Sequence, residues 1–281
     1  MSIYSPVTVL SYNICFQAMT HNATGSAWEL GNKCTYIGHS KLTICADHMA
    51  EAIDAMPASL NVASFDFVGL QEASRWYLLQ QNATETLNKM QVVGSKEGRS
   101  EMATFYNGTR YRLDNHYFGS FDTDRPFQIL LFKNLFDTSG TIFINAHNPH
   151  GYSFDGMQGI LSTAIKAMDL ASAEKQYRII AVGDFNETGW DWNTGKMKQK
   201  TWTPFYDNGV KIKTSISIDE AVYSCCQANG DWSDSNGGIA KGSRGGDYIF
   251  DSKNAAKIII PSAYNPKVLQ SDHLPIVALL T

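Results

Sequence analysis

The sequence Ala-Val-Gly-Asp-Phe-Asn, residues 181–186, is typical of a buried strand that delivers polar groups at its end. It extends the apolar run at 179–182, and a glycine then precedes a carboxylate and an amide two positions apart. Because side chains two apart on an extended chain point the same way, Asp184 and Asn186 can face one reacting group. Many strands end in Gly-Asp at an ordinary turn. The stretch is therefore informative only together with the polar residues that end the other predicted strands.

The composition is that of a folded globular protein. The chain has 281 residues, of which 43% are hydrophobic and 18% charged, and its net charge is −4. No linker, repeat or low-complexity tract divides it, so we expect one domain over residues 1–281 and a monomer. We find no transmembrane segment and no signal peptide, and we expect an intracellular protein. The net charge gives no sign of a generally basic surface, so any affinity for phosphate must be local.

The five cysteines are predicted to be reduced. An odd number that includes the adjacent pair Cys225-Cys226 is a poor framework for disulfides, and no export signal is seen. A zinc site is the alternative for Cys34 and Cys45, because histidines lie near both in the sequence. The spacing is irregular, however, and no Cys-x-x-Cys pair occurs.

Apolar patterns predict the core strands and the helices between them. Strands are predicted at residues 7–15, 65–71, 101–106, 111–118, 127–132, 141–146, 179–182, 247–250 and 276–280. Helices are predicted at 42–56, where Pro57 stops the helix, at 75–89 and at 154–168. Residues 16–41 are predicted to be a long loop, and loops of this length are usually functional or disordered.

Acid, amide and imidazole side chains stand at the ends of these predicted strands. They are Asn13, Glu72, His147, Asp184, Asn186, Asp247, Asp272 and His273. Hard oxygen ligands without cysteine suit Mg²⁺ or Mn²⁺, and histidines with carboxylates that orient them suit proton transfer or the stabilisation of charge on a phosphate. Each residue also has an ordinary interpretation, such as Asn13 in a turn, Glu72 at a helix start or His147 capping a loop.

Residues 187–205 interleave aromatic and cationic side chains directly after the Asp184 strand. The segment contains Trp190, Trp192, Trp202, Lys196, Lys198 and Lys200. Such a pattern can stack a base and hold a phosphate backbone, which favours nucleic acid as a partner. The alternative is a half-buried loop with a solvated lysine face.

In their order along the chain, the motifs resemble those of the endonuclease/exonuclease/phosphatase superfamily. This is the superfamily of metal-dependent phosphoesterases typified by pancreatic deoxyribonuclease and the AP endonucleases. The matching pieces are Ser-Tyr-Asn13, Gly-Leu-Gln-Glu72, Asn-Ala-His147, Gly-Asp184-Phe-Asn186, Gly-Asp247-Tyr-Ile-Phe and Ser-Asp272-His273-Leu-Pro. Together they cover nearly the full chain. The resemblance implies an α/β fold, a four-layer sandwich of two packed mixed β-sheets flanked by helices, with the site at one sheet edge.

The resemblance also implies how the metal and the water are held. Glu72 is implied as the main ligand of Mg²⁺, with Mn²⁺ as a substitute, and Asn13 and Asp272 as further ligands. Asp184 is implied to orient or deprotonate the attacking water. Asn186 is implied to donate a hydrogen bond to a phosphate oxygen.

Further implied roles belong to the two histidines. Asp247 would hold His273, whose imidazole would contact the scissile phosphate or act as a base. His147 would stabilise the leaving group, with Glu101 as the acid that orients its ring.

Two departures point away from the AP endonucleases. Cys15 stands where those enzymes usually carry an acid, and they lack a histidine at the position of His147. The site looks closer to the deoxyribonuclease, inositol-phosphatase, deadenylase and tyrosyl-DNA phosphodiesterase branches. We therefore expect Mg²⁺-dependent hydrolysis of phosphodiester bonds, with nucleic acid as the substrate. The alternatives are an inositol-phosphate or phospholipid phosphatase or phosphodiesterase, with small phosphate esters as substrates, and a member that keeps the fold only for binding.

Overall fold

The structure, a computed structural model, describes most of the chain outside a central segment. The described residues are 6–39, 41–94, 101–121, 125–137, 139–149, 177–186, 190–191, 196–197, 213–214, 224–236, 239, 246–251 and 257–281. The helix predicted at 154–168 and most of the aromatic and cationic segment 187–205 lie outside these residues.

Strands predominate in the described part of the chain. They are β1 Val7–Asn13, β2 Tyr36–Ile37, β3 Leu42–Thr43, β4 Phe67–Gln71, β5 Gln91–Gly94, β6 Ala103–Tyr106, β7 Tyr111–Ser120, β8 Pro126–Asn134, β9 Gly140–His147, β10 Tyr177–Asp184, β11 Trp190–Asp191, β12 Lys196–Met197, β13 Lys213–Thr214, β14 Asp247–Asp251, β15 Lys257–Ile259 and β16 Ile276–Leu280. The helices are α1 Phe16–Thr20, α2 Trp28–Lys33, α3 Ile44–Ser59 and α4 Trp76–Asn82, with a 3₁₀ turn at Leu87–Lys89. Each of these helices is too short or too polar to cross a bilayer.

Two six-stranded mixed sheets contain most of the strands. The first has the order β15-β16-β1-β4-β6-β5, with β1 and β4 parallel. The second has the order β13-β14-β10-β9-β8-β7, with β9 and β10 parallel. The remaining neighbours are antiparallel.

The two sheets pack face to face around an apolar core. Side chains from both sheets share it, among them Val9, Phe67, Phe143, Ile180 and Ile249. The rings of Phe67 and Phe143, one from each sheet, stack with centroids 5.0 Å apart. Since strand side chains alternate between faces, the residues next to Val9 and Phe67 in sequence point to the outer face of the first sheet. There they pack with α3 and α4. The predicted packing of two mixed sheets is confirmed, with helices on the outside of the first sheet.

The predicted long loop at 16–41 is wrong, because the segment is structured. It contains α1, α2 and the strand β2, which pairs with β3 just beyond it. This hairpin brings Cys34 and Cys45 together in a buried disulfide. The prediction of reduced thiols is therefore wrong for this pair, whose sulfurs bind each other and not zinc.

The predicted helix ends also need correction. α3 begins at Ile44 because Thr43 caps it, its hydroxyl accepting the amide hydrogen of Ala46 at 3.1 Å. Pro57 lies inside the last turn, and the helix ends two residues later at Ser59. The helix predicted at 75–89 stops at Asn82 and is followed by the separate 3₁₀ turn.

A tertiary contact interrupts that predicted helix. The carboxylate of Asp54 on α3 accepts hydrogen bonds from the backbone amides of Glu85 and Thr86, at 3.1 and 2.8 Å. These amides would otherwise donate within a helix. The contact with Asp54 therefore overrides the local helical pattern.

Candidate active site

The carboxyl ends of the two parallel strand pairs meet at one edge of the sandwich. In the first sheet, Asn13 at the end of β1 lies opposite Gln71 at the end of β4. In the second, Asp184 at the end of β10 lies between His147 of β9 and Asp247 of β14. The amide of Asn13 donates to Asp184 Oδ2 at 3.1 Å, which joins the edges of the two sheets.

Glu72 directly follows β4 and turns back towards this edge. Its φ is +50°, a left-handed conformation that is uncommon for a non-glycine residue. The carboxylate accepts hydrogen bonds from Asn13 Nδ2 at 3.3 Å and from the amide of Phe16 at 3.2 Å. The predicted metal ligands Glu72 and Asn13 are thus in contact.

Asp184 is buried at the centre of the site. Its Oδ1 accepts the amide hydrogen of Asn186 at 2.9 Å, and its Oδ2 lies 3.6 Å from His147 Nε2 and 3.7 Å from His273 Nε2. Burial raises the pKa of Asp184 to about 7, against the opposing effect of the His273 imidazole. Gly183 must be glycine, because a Cβ on its backbone at φ +149° would collide with the carbonyl oxygen of Ala146.

His273 is held in one orientation by Asp247. The distance from His273 Nδ1 to Asp247 Oδ2 is 2.9 Å, and the hydroxyl of Ser224 donates to the same carboxylate oxygen at 2.6 Å. The ring is nearly fully buried. Burial lowers the pKa of His273, but the carboxylates of Asp247, Asp272 and Asp184 outweigh it and raise that pKa well above the ordinary value. Asp247 and His273 are paired as the resemblance implied.

His147 lies across the site from His273. Its Nε2 is 3.7 Å from Glu72 Oε1, and the guanidinium of Arg125 contacts the ring nitrogens. Sequence analysis did not identify Arg125. Arg125 directly precedes β8, and the register between β8 and β9 places it beside His147, the last residue of β9.

Glu101 does not hold His147, which corrects the pairing implied by the resemblance. Its carboxylate accepts the amide hydrogen of Arg75 at 3.0 Å, and its carbonyl accepts the amide hydrogen of Ala73 at 2.6 Å. The antiparallel pairing of β4 and β6 brings Glu101 beside the turn at 73–75. Burial raises the pKa of Glu101. In the described residues, Glu101 stabilises the turn after Glu72.

The site opens into a cleft of about 240 Å³. Six of the predicted residues line it, namely Glu72, His147, Asp184, Asn186, Asp272 and His273. The side-chain amide of Asn186 donates to the carbonyl oxygen of Asn148 at 2.7 Å, which fixes Asn186 at the wall. Arg125 and Cys226 also line the cleft.

The residues around the cleft fit a hard divalent cation. The carboxylates of Glu72, Asp184, Asp247 and Asp272 converge, and ligand atoms of Asp184, Asp247 and His273 lie within 4.8 Å of one another. Burial raises the pKa of Asp272, as it does that of Asp184. Such crowded, buried acids are costly without a neutralising charge, and oxygen donors are the ligands that Mg²⁺ and Mn²⁺ prefer.

Solved structures share this fold at low sequence identity. The human Nocturnin catalytic domain with bound sulfate is 16% identical, covers 98% of this chain and 94% of its own, and has a TM-score of 0.58. D. rerio TDP2 with a single-strand DNA product is 14% identical, covers 99% of this chain and 100% of its own, and has a TM-score of 0.60. An endonuclease/exonuclease/phosphatase from Bacteroides vulgatus is 16% identical, covers 99% of this chain and 99% of its own, and has a TM-score of 0.59. This chain has the endonuclease/exonuclease/phosphatase fold. The fold that the sequence motifs implied is confirmed.

One further solved structure shares this fold, and one curated protein is related in sequence. A mannosyl-6-phosphatase from Bacteroides thetaiotaomicron VPI-5482 is 18% identical, with 98% of this chain and 100% of its own covered and a TM-score of 0.57. Among curated proteins, the uncharacterized protein L684 of Acanthamoeba polyphaga mimivirus is 26% identical over 286 residues, which is 97% of this chain and 50% of that protein. This chain thus spans about half the length of that relative. No family model matches the chain.

Proposed function

We propose that this protein is a Mg²⁺-dependent phosphoesterase that hydrolyses phosphodiester bonds in nucleic acid. The observation that carries the proposal is the convergence of Asp184, the Asp247–His273 pair and the Asn13–Glu72 pair on one cleft. These contacts join residues from both ends and the middle of the chain, and the hydrogen bond from Asn13 to Asp184 links the two sheets.

Glu72, Asn13 and Asp272 would hold the metal ion. When bound, Mg²⁺ neutralises charge on the nonbridging phosphate oxygens and positions the phosphate. Glu72 is well placed for this because both of its carboxylate oxygens are already oriented by hydrogen bonds from Asn13 and Phe16. Preorganised ligands of this kind lose little freedom on binding.

Asp184 would hold the attacking water and accept its proton. Burial raises the pKa of Asp184, which makes its carboxylate a stronger base towards that proton than an ordinary aspartate. The hydrogen bonds from Asn13 and Asn186 fix both carboxylate oxygens in place.

The histidines would act on the phosphate from two sides. With Nδ1 bound to Asp247, His273 presents Nε2, and its raised pKa favours the protonated form that can donate to a phosphate oxygen. On the other side, His147 and Arg125 would stabilise charge that develops on the leaving group.

Nucleic acid is favoured as the substrate by the sequence of residues 187–205, with its tryptophans and lysines after the Asp184 strand. The fold shared with TDP2, which was solved with a DNA product, supports the same choice. A phosphatase acting on small phosphate esters is the second candidate, and the fold shared with the mannosyl-6-phosphatase favours it.

A substrate panel tests the proposal. Purified protein is incubated with Mg²⁺ or with EDTA on single- and double-stranded DNA, RNA, a 5′-tyrosyl oligonucleotide, inositol phosphates, mannose 6-phosphate and bis-p-nitrophenyl phosphate. Asp184→Asn is the inactive reference, and Asp234→Asn makes the same change at an exposed position. We expect Mg²⁺-dependent cleavage of a nucleic acid that only Asp184→Asn abolishes. Release of phosphate from the small esters with every nucleic acid intact would overturn the choice of substrate.

A further inference from the structure

Two adjacent cysteines lie against the imidazole of His273. The Sγ of Cys226 is 3.8 Å from His273 Nε2, and ligand atoms of Cys225, Cys226 and His273 all lie within 4.8 Å of one another. The proposed mechanism uses His273 but neither sulfur. The cysteine pair is therefore a chemical feature of the cleft that hydrolysis leaves unexplained.

The backbone fixes the cysteines in this position. Cys225 and His273 form an antiparallel bridge, and the amide of Leu274 donates to the carbonyl oxygen of Ser224 at 2.8 Å. The hydroxyl of Ser224 in turn holds Asp247, the partner of His273. One short segment thus positions both the sulfurs and the imidazole.

His273 is arranged as a metal-binding histidine usually is. Its Nδ1 is bound to a carboxylate, which fixes the ring and leaves Nε2 to face the sulfur of Cys226. On a tetrahedral Zn²⁺ ion, with bonds of about 2.3 Å to sulfur and about 2.0 Å to nitrogen, the two donor atoms are about 3.5 Å apart. The observed 3.8 Å is close to this spacing.

We propose that the reduced Cys225-Cys226 pair and His273 form a binding site for Zn²⁺, and that zinc bound there inhibits the enzyme. Thiolates select zinc over Mg²⁺, so the site is distinct in chemistry from the oxygen ligands around Glu72. Asp184 Oδ2, 3.7 Å from His273 Nε2, is within reach as a fourth ligand. Zinc would occupy the Nε2 that the proposed function assigns to the phosphate, and the inhibition rests on that function.

Thiol chemistry controls whether the site exists. The structure joins Cys225 and Cys226 in a disulfide, a form that offers no thiolate. Two molecules of an external thiol supply two electrons and two protons, become a disulfide themselves and leave Cys225 and Cys226 as thiols. Zinc then displaces the two thiol protons and the Nε2 proton of His273, and all three protons pass to the solvent. Cys226 lines the cleft, so both a reductant and the ion can reach the pair.

The proposed inhibition by zinc is tested by measuring the Mg²⁺-dependent activity at increasing Zn²⁺ concentrations. Protein is reduced with a phosphine, freed of reductant and titrated with Zn²⁺ during hydrolysis of bis-p-nitrophenyl phosphate. In Cys225→Ser/Cys226→Ser we expect the half-inhibiting Zn²⁺ concentration to rise roughly tenfold or more, with the zinc-free rate near that of the unchanged protein. Cys34→Ser/Cys45→Ser, which removes the other pair of cysteines, outside the cleft lining, should leave the half-inhibiting Zn²⁺ concentration unchanged. Equal inhibition of the double variant and the unchanged protein would overturn the proposal.

Cadmium binding tests the site without any assay of activity. Reduced protein is titrated with Cd²⁺, and the ultraviolet absorption of cadmium–thiolate bonds is followed. We expect one equivalent to saturate the band, Cys225→Ser/Cys226→Ser to lack it, and His273→Gln to need roughly tenfold more Cd²⁺. A His273→Gln titration identical to that of the unchanged protein would overturn the three-ligand site. If the band behaves as expected but no phosphoester is hydrolysed, the proposed function fails and the metal site stands.

Discussion

Strands β10 and β14 carry buried charges at both of their ends, and the two ends are built in opposite ways. At one end, Arg178 and Asp251 form two hydrogen bonds, Nε to Oδ1 at 2.8 Å and Nη2 to Oδ2 at 2.7 Å. At the other end, Asp184 and Asp247 lie directly opposite each other in the strand pairing, with further carboxylates nearby. The first end is a closed ion pair, and the second is an excess of acid that opens into a cleft.

This difference separates a structural pair from a functional site. A buried charge that is matched by a bidentate partner needs nothing further. A group of buried acids raises the free energy of the folded, metal-free protein, since each carboxylate has lost water and faces like charge. The pKa of Asp184, which burial raises to about 7, reflects this cost in free energy. Binding of a cation offsets it.

Asp184→Asn is expected to have the largest effect, a loss of activity. The amide cannot accept the proton of the attacking water, so we expect kcat to drop by about 10³- to 10⁴-fold. Removing one buried carboxylate from a crowded site should leave the free energy of unfolding within about 1 kcal/mol of that of the unchanged protein. Steady-state kinetics and urea unfolding measure the two quantities. If Asp184→Asn instead unfolded easily and kept its kcat, Asp184 would have a structural role and not a catalytic one.

Asp251→Ala is expected to have the next largest effect, a loss of stability. The change leaves the guanidinium of Arg178 buried without its carboxylate, which costs about 3–5 kcal/mol. Urea unfolding measures it, and kcat should change little in the fraction that stays folded. The double variant Arg178→Met/Asp251→Leu removes both charges and should recover most of the loss. Equal destabilisation of the single and double variants would show that packing at this end, and not the ion pair, is what matters.

A smaller effect is expected from pH on the metal-free protein. The folded state holds the proton of Asp184 at a pKa of about 7, against 3.8 for an ordinary aspartate. The stability that this group contributes is therefore fully present below about pH 4 and is lost as the pH rises through about 7. His273 has the same sign, because its pKa is also raised.

Urea unfolding in EDTA between pH 5 and pH 8 measures this loss. We expect the free energy of unfolding to fall by up to about 1.4 kcal/mol per pH unit for each extra proton that the folded state binds. Asp184→Asn should flatten the slope. A slope that Asp184→Asn leaves unchanged would place the titration elsewhere in the protein.

The sequence allowed the ends of the core strands to be predicted well. A continuous apolar run marks a strand that is buried on both faces, and such a strand must end where polar residues begin. For this reason Asn13, Glu72, His147 and Asp184 were located correctly at one edge. Their order along the chain, compared with a known superfamily, then indicated the two-sheet architecture.

Contacts between distant elements could not be predicted in this way. Arg125 meets His147 only because of the register between β8 and β9, and Glu101 meets the backbone of Arg75 because of the register between β4 and β6. The Cys34–Cys45 disulfide likewise depends on a hairpin of two-residue strands, too short to show a period in the sequence. These features follow from tertiary geometry, which local patterns do not encode.

The most direct test of the account is a Mg²⁺ titration of phosphodiester hydrolysis. The rate on bis-p-nitrophenyl phosphate, or on the best nucleic acid from the panel, is measured against Mg²⁺ concentration. The unchanged protein is compared with Glu72→Gln and with Glu51→Gln, which makes the same change on an exposed face of α3. We expect Glu72→Gln to need roughly tenfold more Mg²⁺ or more for half of its maximal rate, and Glu51→Gln to match the unchanged protein. Hydrolysis that persists in EDTA, or equal Mg²⁺ midpoints for all three proteins, would contradict the account.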